Sequence, residues 1–295
     1  MLQLEDGSED IMNTAPQAML LQKREAPFDD PRYVFEPKID GHRLLLAKDG
    51  DSIKLWTRHE NEVTQKYPEL HTPPLNCTSC ILDGEVAYVD PDTGMIDFEA
   101  IMTRFMMTKQ ERVQEGIRKI PVQYFVFDVL QVDGKDVRKL PLTERRAILE
   151  SIMTENTHFK RVMQIDGRGK DLFQVIEQQQ LEGIVAKRKD SSYVGRRSDK
   201  WLKMINYTYA DVKICGYRKS EFGWLAKHDG RVVGVIELAV PSNHRKAFYS
   251  IAQDIVTGED KNFVYVKPLI TAKIRMRNWY KSGMMRSPEF VQFVM

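Results

Sequence analysis

Lys38-Ile39-Asp40-Gly41-His42-Arg43 stands between two short runs, residues 33–38 and 42–48, that are rich in β-branched, leucine and aromatic residues and predict strands. Taken alone, Asp40-Gly41 predicts a hairpin turn, and Lys38 would then be an exposed strand end. Working outward, residues 53–57, 81–89 and 122–130 also predict strands. Residues 98–102, 143–153 and 171–179 carry apolar residues at helical spacing, with Thr143-Glu144-Arg145-Arg146 as a helix start. The class is α+β.

The chain has 295 residues, more than one ordinary core needs, so two domains are expected. With 42% hydrophobic and 29% charged residues it can bury a core, which excludes wholesale disorder. No apolar run is long enough to cross a bilayer, and Glu5, Asp6, Glu9 and Asp10 stand where a signal peptide would be basic and then apolar. A cytoplasmic protein is expected. Cys77, Cys80 and Cys215 are too few for a disulfide framework. Cys77 and Cys80 have the spacing of half a zinc knuckle, but no second pair completes four ligands.

Near residue 207 the texture changes to short strands at 211–217, 231–239 and 263–276, with one helix at 242–256. That order and length suit a small OB-fold β-barrel. The segment from residue 207 onward holds 14 Lys and Arg against 8 Asp and Glu, a charge of +6 within a whole-chain charge of +2. A polyanionic partner is the natural reading. The expected division is a flexible tail at 1–15, a first domain at 16–206 and an OB-fold at 207–295, hinged at 206–209.

Five short motifs follow one another in order. After Lys38 to Arg43 come Leu82-Asp83-Gly84-Glu85, Phe125-Val126-Phe127-Asp128, Glu182-Gly183-Ile184-Val185-Ala186-Lys187 and Lys200-Trp201-Leu202-Lys203. Together they resemble the nucleotidyltransferase motifs of ATP-dependent DNA ligases, a superfamily shared with RNA ligases and mRNA capping enzymes. Tyr209-Ala210-Asp211-Val212 and Gly216-Tyr217-Arg218-Lys219 resemble the OB-fold opening of bacterial end-joining ligases. The resemblance implies an ATP-grasp-like nucleotidyltransferase domain followed by an OB-fold.

By that resemblance Lys38 attacks the α-phosphate of ATP and holds AMP, which it can do only as the neutral amine. Glu182 is the implied metal ligand and Glu85 a ribose or metal contact, for Mg²⁺ or Mn²⁺. Phe127 matches the ring stacked on adenine, although Phe125 and Phe127 also alternate as strand core. Glu36 would touch adenine, Arg43 the ribose and nick, and Arg58 the 5′-phosphate, with strand-end glutamate and surface arginine as the ordinary readings of Glu36 and Arg58. Lys200 and Lys203 would hold the α-phosphate.

Two departures stand out. The fifth motif has Ile205 where many members carry a second lysine, so that Lys200 is the remaining substitute, and the run Arg286-Ser287-Pro288-Glu289-Phe290 leads into no terminal basic motif before Met295. The activity implied is sealing of nicked duplex DNA, and a monomer is the default expectation. The alternatives are an RNA ligase or capping guanylyltransferase, and a non-catalytic nucleic-acid-binding protein.

Overall fold

The computed structural model describes residues 12–294, so most of the tail expected at 1–15 lies outside the described residues. The chain divides into two compact units, one through Ile205 and one from Asn206. The first contains, in order, β1 (Leu20–Lys23), β2 (Asp29–Pro37), β3 (His42–Asp49), β4 (Ser52–Thr57), β5 (Ser79–Ala87), α1 (Phe98–Met106), α2 (Gln110–Lys119) and β6 (Gln123–Val132). It continues with β7 (Lys135–Asp136), α3 (Leu142–Ile152), β8 (Phe159–Arg161), β9 (Ile165–Arg168), α4 (Gly169–Gln178), β10 (Gly183–Arg188) and β11 (Arg197–Ile205).

These strands form two sheets. One runs β1-β11-β10-β2-β9, and the other β4-β3-β5-β6-β7, with β8 beside β6. The hairpin expected at Asp40-Gly41 is therefore absent: β2 and β3 belong to different sheets, and residues 38–41 carry the chain across. Gly41 permits the crossing, because a Cβ there would lie 2.0 Å from the Val86 carbonyl oxygen.

Side-chain alternation divides the interior into layers. Leu44, Leu46, Leu82 and Tyr124 face a core completed by Ile101 of α1 and by Leu149 and Ile152 of α3. The opposite face of that sheet supplies Leu45, Ala47 and Phe127, which meet Val34 and Trp201 of the other sheet. Beyond it, Phe35, Ile184 and Met204 pack on Leu172, Phe173 and Ile176 of α4. The two sheets thus face each other, each covered outside by helix. Helix α3 begins at Leu142 after Pro141, one residue before the expected start at Thr143, and Arg145 in its first turn is fully buried. Its guanidinium donates to both Asp128 oxygens at 2.8 Å and to the Leu140 and Ser191 carbonyls.

The second unit contains β12 (Thr208–Arg218), β13 (Trp224–His228), β14 (Arg231–Ile236), α5 (Ser242–Ala252), β15 (Val256–Glu259), β16 (Phe263–Met276) and β17 (Glu289–Val294). Its sheet runs β14-β13-β12-β16-β15, with β17 also on β16. A parallel bridge between Leu238 and Glu289 brings the chain after β14 beside β17, but the ladders do not close into a barrel. The expected helix at 242–256 ends sooner, at Ala252, passing through a short 3-10 turn into β15. Trp224, fully buried, anchors this core against Phe248 and Phe290.

Candidate active site

Strand register assembles one face of a pocket. Val185 pairs with Glu36 and Lys187 with Val34, while Trp201 pairs with Lys187 and Lys203 with Val185. Alternation therefore puts Glu36, Val185, Lys187, Trp201 and Lys203 on one sheet face, and Lys38 follows β2 on the same side. From the facing sheet come Arg43, paired with Glu85, and Phe127. Glu36, Lys38, Arg43, Glu85 and Phe127 line one pocket together with Lys187 and Trp201. The register shifts between Asp83 and Gly84, whose partners on β6 are Asp128 and Val126. Phe127 is left as the extra residue, and such a bulge aims its side chain into the pocket.

Lys38 Nζ lies 2.7 Å from Glu182 Oε2. Two backbone features fix this contact. The Lys38 N–H donates to the Gly183 carbonyl at 2.9 Å. Gly183 itself has φ +148, and a Cβ there would meet the Met204 carbonyl oxygen at 2.2 Å. The glycine after Glu182 is thus required by the close approach of β11. Burial pushes the Glu85 carboxyl up to about 7, with the charges of Glu182 and Asp83 adding to the rise and those of Lys38 and Arg43 opposing it. Carboxylates that repel one another across a pocket suit a divalent cation. Among the described residues no three His, Cys, Asp or Glu side chains gather in metal reach. Glu85 and Glu182 can therefore supply only part of a coordination shell, a donor set that fits Mg²⁺ or Mn²⁺ completed by phosphate and water.

The deeper end of the pocket is built around a buried ion pair. Lys187 Nζ is 2.7 Å from Glu36 Oε2, 4.1 Å from the centre of the Phe127 ring and 4.3 Å from that of Trp201. The other Glu36 oxygen accepts from Gln164 Nε2 at 2.9 Å and faces Arg146 at 3.7 Å. Burial lowers the Lys187 pKa, while Glu36 and Asp128 pull it back up. Acceptor, donor and aromatic walls converge here.

Arg43 is held from below. Its Nε donates to Asp83 Oδ1 at 2.5 Å, its Nη2 bonds Asp83 Oδ2, and the same nitrogen reaches the Met19 carbonyl at 3.2 Å. The Tyr193 hydroxyl donates to Asp83 Oδ2 at 2.6 Å and accepts from the Met19 N–H at 2.9 Å. The guanidinium lies 4.6 Å over Phe127. A half-buried fork held through two of its nitrogens is oriented as well as charged.

Three sequence candidates lie outside this cluster. Arg58 is exposed, 3.1 Å from the His59 ring nitrogen. Lys200 sits on the opposite face of β11 from Trp201, 3.7 Å from Asp199, because odd and even positions of a strand diverge. Lys203 shares the face of Trp201 but is not among the residues lining the pocket. In the other direction, sequence reasoning assigned no role to Lys187, Trp201, Tyr193 or Gln164. Lys187 and Trp201 lay within quoted motifs, and alternation with Val185 could have placed Lys187; nothing in the sequence points Tyr193 or Gln164 at the site.

Residues 17–204 match the model of the ATP-dependent DNA ligase domain. The chain is 38% identical over 274 residues to the SPbeta prophage-derived DNA ligase-like protein LigB of Bacillus subtilis (strain 168), covering 92% of this chain and 96% of that one. It is 28% identical to the DNA ligase of Thermococcus onnurineus (strain NA1), covering 88% of this chain but only 50% of that protein. Among solved structures, a mycobacterial DNA ligase D complexed with ATP and MES shares the fold with a TM-score of 0.56 at 24% identity, covering 96% of each chain. The chain belongs to the ATP-dependent DNA ligase family.

Proposed function

We propose that the protein seals nicks between a 5′-phosphate and a 3′-hydroxyl in duplex DNA through a lysyl-AMP at Lys38. The observation that carries this reading is Lys38 at 2.7 Å from Glu182, at the mouth of a pocket whose far end holds an acceptor, a donor and two aromatic rings. Glu36 can accept from the adenine amino group and Lys187 can donate to the neighbouring ring nitrogen, whereas guanine presents the reverse order of donor and acceptor. Phe127 and Trp201 supply flat apolar walls for a base. A base so held turns the α-phosphate toward Lys38.

The amine attacks phosphorus and pyrophosphate leaves, forming a phosphoramide. Glu182, 2.7 Å from Lys38 Nζ, is the group placed to receive the Lys38 proton. A divalent cation held by Glu85 and Glu182 would neutralise carboxylate charge beside the reacting phosphorus and offset charge on the phosphates. AMP then passes to the DNA 5′-phosphate, and the 3′-hydroxyl displaces it. Arg43, fixed by Asp83, is the cation oriented over the base end and is assigned to the ribose and nick. The second unit, with its excess of basic residues, is proposed as an OB-fold module that neutralises DNA phosphates.

Intact mass after incubation with ATP and Mg²⁺ tests this reading. The expected product is heavier by one AMP, on the peptide containing Lys38, and GTP gives little adduct. Equal labelling by GTP would favour a capping-type activity, and no adduct with either nucleotide would leave a binding protein.

A further inference from the structure

The turn leading into β5 has no part in the pocket, yet it brings two thiols together. Cys80 is fully buried on β5, and Cys77, three residues earlier, is partly buried against the same core. Both side chains pack on the same core cluster, and the neighbouring Cys80 thiol lowers the Cys77 pKa while its own is raised. The backbone between them is clamped on both sides. Asp133 Oδ1 accepts the Thr78 and Ser79 N–H groups at 2.8 and 3.0 Å, and Lys48 Nζ donates to the Cys77 and Thr78 carbonyls at 3.0 Å each. Gly50 N–H adds a bond to the Thr78 carbonyl at 3.0 Å. A metal does not explain the pair, because no third ligand gathers there among the described residues.

We propose that Cys77 and Cys80 are a peroxide-responsive thiol pair that closes to an intramolecular disulfide. Cys77 is the attacking sulfur: it is the more exposed of the two, and the adjacent Cys80 thiol and Lys48 ammonium favour its thiolate over the opposing effects of burial and Asp133. The thiolate attacks a peroxide oxygen, breaking the O–O bond to give a sulfenic acid and hydroxide. The Cys80 sulfur then attacks the sulfenic sulfur, displacing hydroxide, while the Cys80 proton leaves with it as water. Two thiols have lost two electrons to the peroxide. Because β5 runs on from Cys80 to Asp83 and Glu85, closure ties down the entry of a site-bearing strand and shields Cys77 from irreversible oxidation. Cys215 is an internal control, since burial raises its pKa and its thiol faces the Leu225 carbonyl at 3.5 Å.

The test is mild hydrogen peroxide on the full chain, followed by thiol counting, intact mass and peptide mapping without reductant. The expected result is a fall from three free thiols to one, loss of two hydrogens in mass, and a Cys77–Cys80 linkage reversed by dithiothreitol. In Cys80→Ser, dimedone should trap Cys77 as the sulfenic acid. The proposal is overturned if wild-type Cys77 goes directly to sulfinic acid with Cys80 still reduced, or if Cys215 oxidises first. Wild-type protein alone decides between these outcomes, whatever the variant's folding.

Discussion

Lys187 and Glu36, 151 residues apart in the sequence, form a buried ion pair 2.7 Å long at the deep end of the pocket.

 The pairing of β2 with β10 is what brings the two together. Removing one partner strands the other charge in a buried site. Lys187→Met should therefore cost about 3 kcal/mol of stability and weaken ATP binding, while Glu36→Gln should reduce the preference for ATP over GTP by about tenfold or more. Competition of the two nucleotides for adduct formation measures the second effect. Unchanged selectivity in both variants would remove this pair from base recognition.

Lys38→Ala should abolish the AMP adduct and the sealing of ordinary nicks, because the attacking nitrogen is gone. Sealing of nicks already carrying 5′-AMP should persist, since that step does not need the lysine as nucleophile. A gel assay with both substrates separates the two outcomes, and a normal adduct yield in the variant would refute the assignment.

Glu182→Gln removes the charge 2.7 Å from Lys38 while keeping the side chain's size. Adduct formation should fall by about a hundredfold, the scale of losing one electrostatic contact at a reacting phosphate. A raised Mg²⁺ requirement in the same assay would place the loss at the metal. Full activity at ordinary Mg²⁺ would make Glu182 purely structural.

Tyr193→Phe should cost about 2 kcal/mol, because Asp83 loses a 2.6 Å hydrogen bond and the Met19 N–H loses its acceptor. Denaturant unfolding reads the stability, and single-turnover sealing reads the orientation of Arg43. If the hydroxyl serves Arg43 through Asp83, the sealing rate falls along with stability.

His42 predicts an acid dependence. Burial lowers its pKa from 6.5 to about 4, with the Arg43 backbone opposing and the Lys66 charge assisting. Between those values the unfolded chain binds the proton more readily, so stability is complete above pH 6.5 and declines as pH falls toward 4. The loss should be about 2 kcal/mol. His42→Gln should flatten this part of the profile in thermal melts at pH 7 and pH 4.5, and an equal acid loss in wild type and variant would assign it elsewhere.

The sequence by itself determined the local elements and the order of the motifs. The strand around Lys38, the strand carrying Glu85 and the helix ending at Ile152 are legible because alternation and helical spacing are properties of neighbouring residues. Family membership followed from five motifs in one order. Only the tertiary structure decided what those motifs face. Asp40-Gly41 has the composition of a hairpin, yet it crosses between sheets, because the partner of β2 is β10 rather than β3. Lys200 and Trp201 are adjacent in sequence but diverge in space, since one position of a strand faces α4's side and the next faces the pocket. Alternation with Val185 puts Lys187 on the pocket face, but only the pairing of β10 with β2 sets it against Glu36, and Gln164 and Tyr193 reach the site through contacts far apart along the chain that no local pattern encodes.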